Sequence, residues 1–102
     1  MIEYNFSSFK KDVEKYLQNH LKDDFKIEKF VKFIPKFGKH IGAYYECYFY
    51  TNINNQFRIT YFIDLGKWEL CNLIKISELN IIQYAWSPCQ RVNKLEEIKL
   101  RF

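Results

Sequence analysis

Between Ile41 and Asp64 two runs of residues alternate with a period of two on either side of an asparagine-rich turn, and that pattern restricts the segment to a β-hairpin. In the first run Ile41, Ala43, Tyr45, Cys47 and Phe49 fall on one side, and Gly42, Tyr44, Glu46, Tyr48 and Tyr50 on the other. In the second, Phe57, Ile59, Tyr61 and Ile63 form an apolar set, while Gln56, Arg58, Thr60, Phe62 and Asp64 form a mixed one. Cross-strand partners share a face and both apolar sets carry odd numbers, so the loop must contain an odd number of residues. A three-residue loop, 52–54, pairs Phe49 with Phe57, Cys47 with Ile59, Tyr45 with Tyr61 and, outside, Tyr48 with Arg58 and Glu46 with Thr60. A five-residue loop shifts every pair by two positions along the second strand. Either register gathers Tyr44, Tyr48, Tyr50, Arg58 and Phe62 on one surface, which has the aromatic and arginine content of a contact surface.

The flanking segments supply the rest of an α+β fold. Ser7 and Ser8 precede Phe9, Val13, Tyr16, Leu17 and Leu21, which recur at three- and four-residue steps. That spacing predicts an amphipathic helix capped by a serine and released at Asp23-Asp24. Phe25, Ile27, Val31 and Phe33 alternate with a phase slip at Lys29-Phe30, as in a strand carrying a bulge, and Pro35 closes it. After a turn at Leu65-Gly66-Lys67, Trp68, Leu70, Ile74 and Ile76 alternate against Glu69 and Lys75, giving another strand. Residues 77–86 fit a helix through Leu79, Ile82 and Trp86 or a strand through Ile82, Tyr84 and Trp86; the strand is preferred, ended by Pro88. Val92, Leu95, Ile98 and Phe102 fit a short terminal helix, and Ile98, Leu100 and Phe102 an edge strand. The expected architecture is an N-terminal helix packed on a four- to five-stranded antiparallel sheet, with a short C-terminal helix or edge strand.

At 102 residues the chain is long enough for one hydrophobic core and too short for two, so residues 1–102 are read as a single domain. Its 20% aromatic content provides ample apolar surface for that core. Three widely separated cysteines, Cys47, Cys71 and Cys89, are an odd count, which fits free thiols in a reducing cytoplasm better than a disulfide framework. The start, MIEYNFSSFKK, lacks the basic and apolar regions of a signal peptide, and no apolar run is long enough to span a bilayer.

No constellation in the chain carries catalytic or metal chemistry on its own. The cysteines lack the closely spaced ligand pairs of structural zinc sites, so neither a metal nor another cofactor is expected. Cys47, His40 and Asp64 can be drawn as a nucleophilic triad and His20 or His40 with Lys39 as a general-acid nuclease, but nothing supplies an oxyanion hole or a glycine-rich turn. The chain is therefore read as non-enzymatic. The net charge of +4 is concentrated in Lys29, Lys32, Lys36 and Lys39, interleaved with Phe30, Phe33 and Phe37. Single-strand nucleic-acid platforms have this composition, although Phe33 fits the core phase of a strand whose lysines are merely solvated.

The outer hairpin face is the strongest candidate site. A C-terminal helix laying Val92, Leu95 and Ile98 across Tyr44, Tyr48 and Phe62 would turn it into a second core layer, whereas the charges of Arg58 and Glu46 among the rings favour a partner. A small domain rich in Tyr, Phe and Lys with no catalytic set resembles, in style of architecture and composition, the immunity proteins of bacterial toxin systems such as contact-dependent growth inhibition. The resemblance implies tight binding to a cognate toxin domain. The expected docking residues are Tyr44, Tyr48, Arg58 and Phe62, with Lys36 and Lys39 steering association from the rim. The alternatives are a nucleic-acid binder using Lys29, Lys32, Lys36, Phe37, Lys39 and His40, or a phage-encoded inhibitor of a host complex acting by the same docking.

Overall fold

The computed structural model describes residues 4–35, 42–51, 55–79 and 81–100, with the backbone alone at 76–78. An asparagine starts the helix: the Asn5 side chain accepts a hydrogen bond from Ser8 N at 2.7 Å, so the cap lies before both serines expected in that role. Helix α1 runs Phe6–Leu21 and buries Phe9, Val13, Tyr16 and Leu17, the stripe its spacing predicts. Lys22, with φ of 56°, ends it, and its N–H closes on Gln18 O.

Five strands follow: β1 (Phe25–Phe33), β2 (Tyr44–Thr51), β3 (Gln56–Phe62), β4 (Lys67–Glu78) and β5 (Ile81–Val92). They form one antiparallel sheet in the order β1-β2-β3-β4-β5, each strand beside its neighbour in sequence. The β1/β2 register slips between Ile27 and Lys29, a bulge one residue before the expected phase slip. In the central hairpin the register is the one set by a three-residue loop, with Phe49 opposite Phe57, Tyr48 opposite Arg58 and Glu46 opposite Thr60. Gly66, with φ of +61°, takes the left-handed turn position between β3 and β4 and donates from its N–H to Phe62 O at 2.9 Å.

The core lies on one side of the sheet. Phe9 of α1 meets Tyr45 at 5.5 Å and Trp68 at 5.7 Å between ring centroids, and Val13, Leu17, Cys47, Phe49 and Ile59 are fully buried around them. Burying each of the large members contributes about 1.5–3 kcal/mol, which holds the helix to the sheet.

One expectation is corrected at the C-terminal end. The strand preferred for residues 77–86 is present as β5 from Ile81, after β4 ends at Glu78, but β5 continues through Pro88 to Val92 instead of ending there. A proline is tolerated because β5 is an edge strand and because the ladder slips between Cys71 and Leu73, leaving an extra residue unpaired near Pro88. Beyond Val92 the short C-terminal helix, one of the two forms expected, is a 3₁₀ turn, η1 (Leu95–Glu97).

The segment after Val92 decides what lies where. Val92 is opposite Trp68 and so shares the core face, and the chain turns onto that face after it, burying Leu95 and Ile98. Tyr16 of α1 donates from its hydroxyl to Ile98 O at 2.6 Å, fastening this segment beside the helix. Val92, Leu95 and Ile98 therefore do not cover Tyr44, Tyr48 and Phe62. Among the described residues no helix is long and apolar enough to cross a membrane.

Candidate protein-docking face

Because α1 and η1 both lie on the core side, the opposite side of the sheet has no covering element among the described residues. Register assigns to it Lys29, Val31 and Phe33 of β1, Tyr44, Glu46 and Tyr48 of β2, and Arg58 and Phe62 of β3, continuing through Glu69 and Cys71 of β4 to Trp86, Cys89 and Arg91 of β5. The four expected docking residues within the described chain, Tyr44, Tyr48, Arg58 and Phe62, all sit here, each half-buried between its neighbours. Lys36 and Lys39 lie outside the described residues, as do Phe37 and His40.

Tyr48, Glu46 and Arg58 form the centre. The Tyr48 hydroxyl donates to Glu46 Oε1 at 3.1 Å, and Arg58 Nε approaches Glu46 Oε2 at 3.6 Å, an ion pair too long for a hydrogen bond. With side-chain exposures of 21% for Arg58 and 10% for Glu46, the pair is shielded from most screening. Burial, then the Glu46 carboxylate, raises the Tyr48 pKa, while Arg58 partly opposes the rise.

Rings and cations lock this centre laterally. The Lys29 ammonium stands 4.8 Å over the Tyr48 ring, the Arg58 guanidinium 4.8 Å over Trp86, and Tyr48 meets Trp86 edge-on at 5.7 Å. Arg91 sits 4.8 Å over Phe62 and donates from Nε and Nη2 to Glu69 Oε2 at 3.2 and 3.0 Å. Tyr44 stacks on Phe33 at 5.1 Å. Sequence reasoning missed Trp86, Arg91 and Phe33 as members of this face. Once β5 is known to carry an extra residue near Pro88, alternation alone puts Trp86 and Arg91 on one side.

Cys71 and Cys89, expected as free thiols, are directly opposite each other on β4 and β5 with Cα atoms 4.3 Å apart, and they are disulfide-bonded. Antiparallel pairing brings together two residues 18 apart in sequence, which a strand assignment left open between helix and strand could not foresee. The argument from cysteine usage to a reducing compartment is thereby withdrawn. With Glu69 these sulfurs make a potential ligand cluster, all donors lying within 4.8 Å. It is poorly suited to a cation: the sulfurs are bonded to each other, Glu69 holds Arg91, and Arg58 Nη2 lies 3.5 Å from Cys71 Sγ.

Two further candidates among the described residues, Cys47 and His20, are engaged in the structure. Cys47 is fully buried and its thiol is pushed up to about 12 by burial, so it stays protonated in the core and makes no nucleophile beside Asp64, an exposed turn residue. A groove of about 590 Å³ runs between α1 and the β3–β4 turn, lined by Tyr4, Asp12, Tyr16, His20, Tyr61 and Trp68. Four of its polar side chains are engaged: Tyr4 donates to Asp12, Tyr16 to Ile98 O, and the His20 Nδ1 lies 2.8 Å from Tyr16 O, a carbonyl that only accepts.

No protein family, no curated protein and no solved structure matches this chain.

Proposed function

We propose that the open face of the sheet docks onto a partner protein, and that the chain is an immunity protein that neutralises a cognate bacterial toxin domain by occupying its surface. The observation carrying this reading is the prearranged Lys29-Tyr48-Glu46-Arg58-Trp86 cluster on a face that no other element covers among the described residues. Rings and guanidinium already held in place lose little freedom on binding, which is where the affinity of small interfaces comes from. Lys29, Lys67, Arg58 and Arg91 outnumber Glu46 and Glu69 across the face, so the partner surface it suits is acidic.

The test is co-expression with the polypeptide encoded immediately upstream. The two chains should co-purify, and the Tyr48→Ala/Arg58→Ala double variant should release the partner while keeping its near-ultraviolet circular dichroism. A double variant that melts makes these residues structural and removes the argument. The competing reading, nucleic-acid binding along exposed Lys26, Lys29 and Lys32 of β1, requires retention on single-stranded DNA or RNA that falls steeply with salt.

A further inference from the structure

The two edges of the sheet differ in a way that the docking face does not explain. Edge strand β1 carries Lys26, Glu28, Lys29 and Lys32, the charged side chains that keep an edge from pairing with another chain. Edge strand β5 carries no charge from Ile81 to Gln90. It has no strand neighbour on its outer side among the described residues, so alternate residues present unpaired N–H and C=O groups.

Its apolar side chains are exposed at the same place: Ile81 58%, Ile82 58% and Tyr84 63%. The third strand also stops short here. The last β3/β4 pair is Gln56 with Leu73, so among the described residues 74–78 and 81–85 pair only with one another, in a two-stranded ribbon. Such a ribbon is marginal in water without a third strand.

We infer that β5 pairs antiparallel with β5 of a second copy, making a symmetric dimer with one continuous ten-stranded sheet. A second copy is the occupant the charges select. Each chain carries a net +4, and the uncharged stretch of β5 is where two such chains approach without repulsion. A two-fold axis also requires self-complementarity, which an antiparallel strand of neutral residues meets directly. The free edge is bounded by the turn before Ile81 and by Pro88, which has no N–H, so full overlap centres the pairing on Tyr84. Tyr84 then faces Tyr84 of the second copy, Ile82 faces Trp86, and Gln83 faces Ala85. Because cross-strand partners share a face, both docking faces lie on the same side of the joined sheet.

Sedimentation equilibrium at about 100 µM, a concentration suited to an interface of micromolar affinity, should give twice the 12.6 kDa monomer mass. Tyr84→Lys, which sets two ammonium groups against each other across the axis, should return the monomer with unchanged near-ultraviolet circular dichroism. Phe33→Lys, at the other edge, should remain dimeric. Tyr84→Cys, oxidised without reductant, should cross-link to a dimer on a non-reducing gel, and it decides the matter should Tyr84→Lys fail to fold. A monomeric wild type, a dimer that survives Tyr84→Lys, a dimer dissolved by Phe33→Lys, or a dimer that Tyr84→Cys does not cross-link overturns the inference.

Discussion

The Arg58 guanidinium lies 4.8 Å over the Trp86 ring, joining the third strand of the sheet to the fifth across the intervening β4. Trp86 also packs edge-on against Tyr48, so one indole ties together the residues at the centre of the open face.

Replacing Trp86 by alanine should cost about 1–2 kcal/mol of stability, the sum of one cation–π and one edge-on aromatic contact at a half-buried site. Urea denaturation should show a lower midpoint with an unchanged slope. A change of less than a few tenths of a kcal/mol would mean that the cluster is loosely held and not prearranged.

Glu46 is the only carboxylate among the described residues in contact with both Tyr48 and Arg58. Glu46→Ala leaves the Arg58 charge shielded and unpaired, so a loss of about 1–3 kcal/mol is expected. Adding Arg58→Met should recover part of it, because the uncompensated charge is then gone. A double variant as unstable as the sum of the two single ones would show that the pair is not coupled.

Chemical denaturation without reductant should expose one titratable thiol, from Cys47, and with reductant three. Cys71→Ser/Cys89→Ser removes a cross-link closing an 18-residue separation and should lower stability by about 2–4 kcal/mol on the chain-entropy account. Thermal melts of the wild type with and without dithiothreitol should differ by a similar amount.

Alkaline pH should unfold the protein through its core. Burial holds the Cys47 thiol near 12 against an ordinary 9, and the Tyr16 hydroxyl near 12 against 10. Both pKa values are raised, so their contributions are complete below the unfolded-state values and are lost as the unfolded chain releases protons first. Stability should be flat in this respect below pH 9 and then fall by about 1.4 kcal/mol per pH unit through Cys47, with an equal slope through Tyr16 added from pH 10, up to 12. Cys47→Ala should flatten the first part of that slope, read from urea midpoints at successive pH values.

The hairpin was legible because strand periodicity and parity are local: once both runs were strands, Phe49 had to meet Phe57 or a partner two positions away. Helix α1 was legible for the same reason, although its cap moved to Asn5, since three candidate capping residues stand in one turn and only geometry selects among them. What stayed illegible was long-range. The side taken by Leu95 and Ile98 depends on which face Val92 occupies, and that depends on an extra residue near Pro88 that no spacing rule announces. The same slip hid Trp86 from the candidate site and Cys89 from its partner. Lys36 and Lys39, chosen for the rim, lie outside the described residues.

Strand order in this sheet is identical to chain order. During synthesis each newly emerged segment finds its neighbour already in place, with no later piece needed to insert between earlier ones. The neutral edge is consequently the last of the five strands to leave the ribosome, which keeps it hidden from other nascent chains until the four strands behind it have emerged.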